Sequence, residues 1–199
     1  MIKITHLAHA GFLIENEIER LIIDPSDANK GYEFKEEKVN YLLISHKHPD
    51  HINTQTITVG ENVGTFQIYT IESAHDKEDG ALRGKNTIHV IETKGVKICH
   101  LGDLGHVLTK EQVAQIGLVD VLLIPIGGFF TIDYKDAIEI VYQLNPGLVI
   151  PMHYKTKYWG EKIGIDSPEN FVSKLTGFQV QVLDNDTSIN YEKKAEMQE

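Results

Sequence analysis

The chain has 199 residues, of which 41% are hydrophobic and 24% are charged, and its formal net charge is −10. This composition predicts a soluble globular protein, and no apolar run approaches the length of about 20 residues that a membrane-spanning helix needs. The negative charge argues against tight non-specific binding to nucleic acid, because phosphate contacts need clustered Lys and Arg. The single cysteine, Cys99, excludes an internal disulfide. It fits a reducing cytoplasm, and we expect that location without a signal peptide.

The first part of the chain alternates apolar runs with polar turns. We predict strands within residues 2–24, a polar loop or short helix at 26–40, and a further strand at 41–45. That last strand runs directly into Ser-His-Lys-His-Pro-Asp-His at 45–51, the most informative stretch of the sequence.

Four side chains that bind metals fall within this stretch: His46, His48, Asp50 and His51. Residues two apart in an extended segment point to the same side, so His46 and His48 can bind one ion together. Asp50 and His51 follow the turn that Pro49 helps to fix, and they can reach a second ion nearby. The pattern therefore predicts a metal site on a loop that follows a buried strand.

The rest of the chain changes from strands to alternating strands and helices. A turn-rich segment at 52–65 precedes a strand at 66–71 and a hairpin whose Gly95 lies in the turn between strands at 87–92 and 96–101. The later elements are a helix at 110–116 with a Thr109–Gln112 capping box, a strand at 119–126, a helix at 134–144 capped by Asp133, a strand at 148–150, a helix opened by Ser167-Pro168, and strands at 179–184 and 188–191. We expect one domain over residues 1–191 and a charged, frayed tail at 192–199.

Four of the predicted strands end in a side chain that can bind a metal. Ile44 leads to His46, Ile71 to His75, Leu101 to Asp103 and Ile150 to His153. Such strand ends gather at one edge of a sheet-based fold, which is where ligand sites are common. The shared position predicts that these side chains form one site.

The order His-x-His-x-Asp-His, then a His, an Asp and a His after later strands, resembles the metallo-β-lactamase superfamily over nearly the whole chain. The stretches His9-Ala10-Gly11-Phe12, Ala74-His75-Asp76, Gly102-Asp103 and Pro151-Met152-His153-Tyr154 resemble the branch that includes ascorbate-6-phosphate lactonase and related uncharacterised hydrolases. The resemblance implies an α+β fold, a four-layer αββα sandwich. The chain departs from larger members between His51 and His75, where it has little room for an extra helix and strand.

The resemblance also implies a ligand set. It places His46, His48 and His75 on one metal ion, and Asp50, His51 and His153 on a second ion, with Asp103 bridging the two. Nitrogen and oxygen ligands of this kind suit Zn²⁺, with Mn²⁺ or Fe²⁺ as alternatives. The implied protein is a dinuclear hydrolase acting on an ester, lactone or phosphoester of a small anionic substrate, in which Asp50 orients the nucleophile and passes a proton to the leaving group.

Four further residues are candidates for binding the substrate: His9, Arg83, His106 and Lys155. Arg83 and Lys155 can hold an anionic group, whereas His9 has a supporting structural role as an equal alternative. We expect His6 and His100 to pack within strands or to support the site, and His89 to be structural.

Three other functions remain open from the sequence. A phosphodiesterase or nuclease would need a basic groove or an added recognition domain, neither of which is visible. An iron oxygenase could use the same ligands, and a metal-binding protein without catalysis would be expected to lose some of them. A homo-oligomer is also open.

Overall fold

The computed structural model describes residues 1–26, 36–183 and 187–193. The predicted loop or helix at 26–40 is therefore described only in part, and the predicted tail lies outside the described residues from position 194 onward. The prediction of a single domain over 1–191 stays a prediction. None of the helices in the described part of the chain has the length and apolar character needed to cross a bilayer.

Twelve strands and three α-helices make up the described fold. The strands are β1 (Ile2–His6), β2 (Phe12–Glu15), β3 (Arg20–Ile23), β4 (Glu37–Val39), β5 (Tyr41–Leu43), β6 (Ile57–Val59), β7 (Gln67–Ala74), β8 (Lys85–Thr93), β9 (Val96–His100), β10 (Val121–Pro125), β11 (Leu148–Met152) and β12 (Ser188–Tyr191). The helices are α1 (Lys110–Ile116), α2 (Tyr134–Leu144) and α3 (Glu169–Lys174).

The strands form two five-stranded sheets and one small pair. The first sheet has the order β12-β1-β2-β3-β5 and is antiparallel except where β3 meets β5. The second sheet has the order β11-β10-β9-β8-β7, with parallel pairing from β9 to β11 and antiparallel pairing elsewhere. Strands β4 and β6 pair in parallel as a separate two-stranded sheet.

The two large sheets pack face to face around one apolar layer. Phe12 and Ile14 of the first sheet lie in the same buried cluster as Ile91 and Ile98 of the second. All three α-helices contribute to a second buried cluster on the other face of the second sheet. On the outer face of the first sheet, the described covering layer is the β4–β6 pair, which buries Val39. The predicted α+β class, with two sheets in the middle layers, is confirmed.

The predictions for two helices are confirmed to the residue. Thr109 Oγ1 accepts a hydrogen bond from Gln112 N at 3.2 Å, and Gln112 Oε1 accepts one from Thr109 N at 3.0 Å, which completes the capping box of α1. Asp133 caps α2 by accepting hydrogen bonds from two backbone N–H groups. The helix ends at Asn145, whose left-handed backbone (φ 44°) closes the last turn.

The strands of the structure differ from the prediction in two ways: one predicted strand is absent from the described residues, and two short strands were not predicted. Residues 179–183 of the predicted strand 179–184 are not in a strand, and position 184 lies outside the described residues. Val180 and Val182 are both exposed. The edge of the first sheet beside β1 is taken by β12, so a strand at 179–184 has no place to pair there. Strands β4 and β6 were not predicted, because each has only three residues, too few to show an alternating pattern. Strand β4 lies in the segment 26–40 that was predicted as a loop or short helix, and β6 lies in the turn-rich segment 52–65.

Candidate metal centre

The candidate ligands lie where strands from both sheets end. Asp24 follows β3, and the segment from His46 to His51 follows β5, both in the first sheet. His75 follows β7, Asp103 comes shortly after β9, and His153 follows β11, all in the second sheet. Rigid strands from two sheets thus hold these side chains in one place, as the sequence predicts.

Three residues of the site have a left-handed backbone although none is a glycine. The φ angles are 55° at His9, 46° at Asp24 and 50° at His153. His153 and Asp24 each come directly after a strand, so the left-handed residue turns the chain sharply at the strand end. Such conformations cost free energy and cluster at functional sites, where the surrounding structure holds them in place.

Four imidazoles converge on one carboxylate oxygen, Oδ2 of Asp103. Its distances to the Nε2 atoms are 3.1 Å for His75, 3.2 Å for His153, 3.3 Å for His51 and 3.6 Å for His46. Among the described residues, Oδ1 of Asp103 and Nε2 of His46 and His51 are buried and have no hydrogen-bond partner. Buried polar atoms are rarely left without a partner, and nitrogen and oxygen atoms arranged in this way are suited to holding a cation.

The potential ligand atoms of the described residues form three groups, each with all its atoms within 4.8 Å of one another. The first ligand group contains His46, His48 and His75. The second ligand group contains His9, Asp50, His51 and His153. The third group, Asp24, His46 and His51, shares its two imidazoles with the other two groups. The structure therefore brings together the residues that the sequence assigns to each ion, places Asp103 against both groups, and adds His9 to the second.

Asp24 and Ser45 orient two of the imidazoles. Asp24 Oδ2 lies 3.0 Å from His51 Nδ1, and the carboxylate accepts hydrogen bonds from Ser45 N at 2.7 Å and Ser45 Oγ at 2.5 Å. Ser45 Oγ in turn lies 2.9 Å from His46 Nδ1. Because these contacts occupy the Nδ1 atoms, His46 and His51 direct Nε2 towards Asp103. Partners of this kind fix ring orientation and raise ligand basicity in metal sites.

Burial and charge act in opposite directions on the site's titratable groups. Burial and the neighbouring His153 lower the pKa of His9 to about 3, and burial lowers the pKa of His46 to about 4 although the Asp103 carboxylate opposes this. Burial alone would lower the pKa of His51, but the carboxylates of Asp103 and Asp24 raise it well above its usual value. The cluster is thus strongly coupled, and a bound cation would compete directly with protons for it.

Asn86 and Gly105 hold the loops that carry Asp103 and His75. Asn86 Oδ1 accepts a hydrogen bond from Asp103 N at 2.9 Å, and its Nδ2 donates to Leu101 O at 2.9 Å. Gly105 packs directly against the His75–Asp76 backbone, where a Cβ atom would collide. Asn86, Gly105 and Asp24 were not predicted from the sequence as site residues. The one available signal was for Asp24, a carboxylate directly after an apolar strand.

The four residues predicted to bind the substrate lie in different surroundings from one another. His9 is buried, with Nε2 3.2 Å from Asp50 Oδ2, and Arg83 lies over the Phe130 ring beside His153. His106 accepts a hydrogen bond from Ala74 N at 3.4 Å, next to the candidate ligand His75. Lys155 is exposed. Hydrogen bonds have the largest effect in lowering the pKa of Glu169, and the charge of Lys155 lowers it further, so Lys155 lies near the start of α3. A substrate role for any of them stays a prediction.

The other predicted histidines support neighbouring turns. Nε2 of His6 lies 3.0 Å from His9 O, and Nε2 of His100 lies 2.9 Å from Ala10 O. Both contacts hold the turn that presents His9. His89 is buried opposite His100 on the adjacent strand, as expected for a structural residue.

Comparison with known proteins gives the family. The sequence profile of the "Beta-lactamase superfamily domain" matches residues 3–153. With its two-sheet fold and clustered ligands, the chain belongs to the metallo-β-lactamase superfamily, which confirms the predicted family and fold.

Within that superfamily the chain is similar to the UPF0173 metal-dependent hydrolases. The relative from Thermococcus onnurineus is 33% identical over an alignment 220 positions long, which covers 92% of this chain and 96% of that protein. A proposed zinc-dependent hydrolase of the superfamily from Thermotoga maritima has a TM-score of 0.71 and 37% identity, over 87% of this chain and 85% of that one. A metallo hydrolase from Ignicoccus hospitalis, at 22% identity and a TM-score of 0.70, shares the fold over 97% of this chain and 99% of its own. The predicted class, a metal-dependent hydrolase, agrees with these relatives.

Proposed function

We propose that the protein is a dinuclear metal-dependent hydrolase that acts on an ester, lactone or phosphoester of a small anionic substrate. The observation that carries this proposal is the convergence of four imidazole Nε2 atoms on Asp103 Oδ2, with a ligand group on each side. A carboxylate placed in this way suits a bridge between two ions. Zinc fits the nitrogen and oxygen donors best, and manganese or iron are the alternatives.

Two divalent ions bound there would supply an activated water at neutral pH and would polarise the bond that it attacks. The chain's own contribution is to hold and orient. Asp24 and Ser45 set the rings of His51 and His46, while Asn86 fixes the Asp103 backbone. We propose that the Asp50 carboxylate orients the nucleophile and passes a proton to the leaving group. Its side chain is 24% exposed, whereas that of Asp103 is 3% exposed, so Asp50 is the one within reach of a substrate.

The metal content of the purified protein tests this proposal first. Protein prepared without added metal should contain about two zinc or manganese ions per chain by plasma mass spectrometry, and the content should fall in His48→Ala and Asp103→Ala. Lys47→Ala is the matched control, because Lys47 lies in the same loop with an exposed side chain. No bound metal after reconstitution, or an unchanged metal content in both ligand variants, would overturn the proposal.

Activity tests the hydrolytic step. The zinc-loaded protein should hydrolyse members of a panel of p-nitrophenyl acetate, γ-butyrolactone and bis(p-nitrophenyl) phosphate, and Asp50→Ala should lose most of that activity. A preference for the phosphodiester would favour the phosphodiesterase alternative. One iron per chain together with substrate-dependent oxygen consumption would contradict the hydrolase function and favour an oxygenase.

We propose further that the partner is a small molecule, with neither membrane nor nucleic acid involved, and that the protein works in the cytoplasm. The buried lone thiol of Cys99 and the net charge of −10 support this setting. Assembly into a homo-oligomer is a separate question, which light scattering of the purified protein would answer.

A further inference from the structure

Two aromatic side chains, Phe130 and Trp159, lie beside the second ligand group, and we refer to them as the aromatic wall. The Trp159 ring is 4.5 Å from the His9 ring and 5.3 Å from the His153 ring, in edge contacts of 77° and 86°. The Phe130 ring is 6.5 Å from that of His153 and 6.5 Å from that of Trp159, with an angle of 27° between the two aromatic planes. The aromatic wall therefore directly borders the proposed reaction centre.

The aromatic wall is not part of the apolar core. Phe130 and Trp159 are partly exposed, and the adjacent Phe129 is 56% exposed. Phe129 also has a left-handed backbone, with φ of 60°, which is a strained conformation for a bulky residue. Partly exposed aromatic rings beside a cluster of candidate metal ligands, with a strained backbone at the neighbouring Phe129, are typical of a ligand-binding surface.

A cation lies at the Phe130 end of the aromatic wall. The Arg83 guanidinium carbon is 5.6 Å from the centre of the Phe130 ring, within the range of a cation–π contact. Among the described residues, no carboxylate forms an ion pair with this guanidinium. Its charge is therefore available to an anionic ligand that lies along the aromatic wall.

The loop that carries Arg83 is held rigidly to the metal-ligand segment. Asp76, the residue after His75, accepts four backbone hydrogen bonds through its carboxylate: from Glu78 N at 2.8 Å, Gly80 N at 2.9 Å, Leu82 N at 3.0 Å and Arg83 N at 2.7 Å. The position of Arg83 is thus tied to that of His75. Because the backbone of Arg83 is held in this way and its guanidinium lies over the Phe130 ring, the cation stays on one side of the reaction centre, which allows the site to select ligands by length.

We infer that the substrate has a flat, aromatic or conjugated group next to the bond that is cleaved, and an anionic group at its far end. The aromatic wall contacts the flat group and Arg83 pairs with the anion. This inference rests on the proposed hydrolase function, because it assigns the cleaved bond to the ligand groups beside His153. It adds a shape and a charge position to a substrate that would otherwise be only small and anionic.

Three matched carboxylates test the inference by calorimetry on the zinc-loaded protein. Terephthalate is flat and carries two anionic groups, trans-1,4-cyclohexanedicarboxylate has the same charges on a saturated ring, and 4-methylbenzoate is flat but lacks the second anion. We expect terephthalate to bind about fivefold more tightly than the saturated dianion, as one aromatic contact provides. We expect it to bind about tenfold more tightly than 4-methylbenzoate, as one charge-assisted contact provides.

Variants assign each preference to its residue. Phe130→Leu should remove the preference for the flat ring, and Arg83→Gln should remove the preference for the second anion. Lys85→Gln is the control, because Lys85 is an exposed cation two positions away. Equal affinities for the three probes, or equal effects of Arg83→Gln and Lys85→Gln, would overturn the inference.

Fluorescence shows where the probe binds, because Trp159 is the one tryptophan of the chain. Terephthalate should change its emission in parallel with the calorimetric titration, and calorimetric binding with unchanged emission would overturn the inference.

Hydrolysis of monomethyl terephthalate and of ethyl acetate separates the inference from the proposed function. Turnover of both esters without selective binding overturns the inference alone. Selective binding without turnover of any ester, lactone or phosphoester overturns the hydrolase and leaves the aromatic wall as a ligand site.

Discussion

Asp24 Oδ2 lies 3.0 Å from Nδ1 of His51, and both side chains are fully buried. The opposite nitrogen of the same ring, Nε2, lies 3.3 Å from Asp103 Oδ2. The imidazole of His51 is thus held between two buried carboxylates. Asp24 orients the ring, and Asp103 is a candidate ligand beside it. The protein places the orienting carboxylate on the first sheet and the other on the second.

Replacing Asp24 by Asn should weaken zinc binding about 10- to 100-fold, the usual effect of removing a partner of a ligating imidazole. The amide keeps one oxygen for Ser45 N but can no longer accept hydrogen bonds with both atoms of the carboxylate. Competition with a chromophoric chelator measures the dissociation constant. Asp133→Asn is a suitable control, because Asn caps α2 about as well as Asp and the cap lies outside both ligand groups. Equal zinc affinity in Asp24→Asn and the wild type would contradict an orienting role.

Removal of metal should lower the melting temperature strongly. The buried carboxylate of Asp103 then has only the four imidazoles around its Oδ2, and no cation compensates its charge or binds the Nε2 atoms. Zinc at 1,000 times its dissociation constant stabilises the native state by about 4 kcal/mol, so the effect is easily measured by scanning calorimetry with a chelator and after zinc is restored. The double variant His48→Ala, Asp103→Ala loses one member of the first ligand group and the carboxylate that lies between the two groups, so it should show a clearly smaller response. A chelator shift of the same size in that variant would mean that the ion binds elsewhere.

Gly105→Ala should reduce both stability and zinc affinity. The added methyl group would meet the backbone between His75 and Asp76, so one of the two loops must move, and His75 moves with it. Urea unfolding and zinc titration measure the two effects. Gly60→Ala is the control, because a Cβ atom there meets only Val39 O at 3.8 Å. Wild-type zinc affinity in Gly105→Ala would show that the position of His75 does not depend on this contact.

Glu19 gives a prediction about pH that does not involve the metal centre. Burial alone would raise its pKa, but hydrogen bonds from the Thr65 hydroxyl and from the backbone of Val63 and Thr65 lower it overall. A carboxyl with a lowered pKa in the native state stabilises that state above its unfolded pKa, and this contribution is lost as the pH falls through the native value. The melting temperature of the wild type should therefore exceed that of Glu19→Gln at pH 7, and the difference should shrink below about pH 4. A difference that stays constant with pH would contradict this.

The sequence is sufficient to predict that the candidate ligands after strands come together, because strand ends of one fold meet at one edge. His46, His48, Asp50 and His51 are close in the chain, and His75, Asp103 and His153 each come after an apolar run. His9 was predicted either as a pocket residue or, equally, as a supporting structural residue. Its place in the second ligand group depends on a left-handed turn after β1 and on contacts with His6 and His100, which no local pattern records.

Support from distant residues is also hidden from the sequence. Asn86 lies within a strand and contacts Asp103 from 17 positions away, so its amide has no local signature. The prediction of a strand at 179–184 was wrong because pairing with another strand also depends on residues far away in the sequence. Alternation of Val180 and Val182 indicates a two-sided strand, but pairing depends on an open sheet edge, and β12 occupies the edge beside β1.

Each ligand group combines residues that follow strands of both sheets, and this arrangement determines when the site can exist during synthesis. The first ligand group needs His75 from the second sheet, and the second ligand group needs His153, which is made after three-quarters of the chain. A nascent chain that exposes only the His-x-His-x-Asp-His segment has neither the second sheet nor Asp103 to complete a group. Under the proposed assignment, the second ligand group would therefore be complete only late in synthesis, and a ribosome-bound chain that stops before residue 153 should not retain zinc in that group.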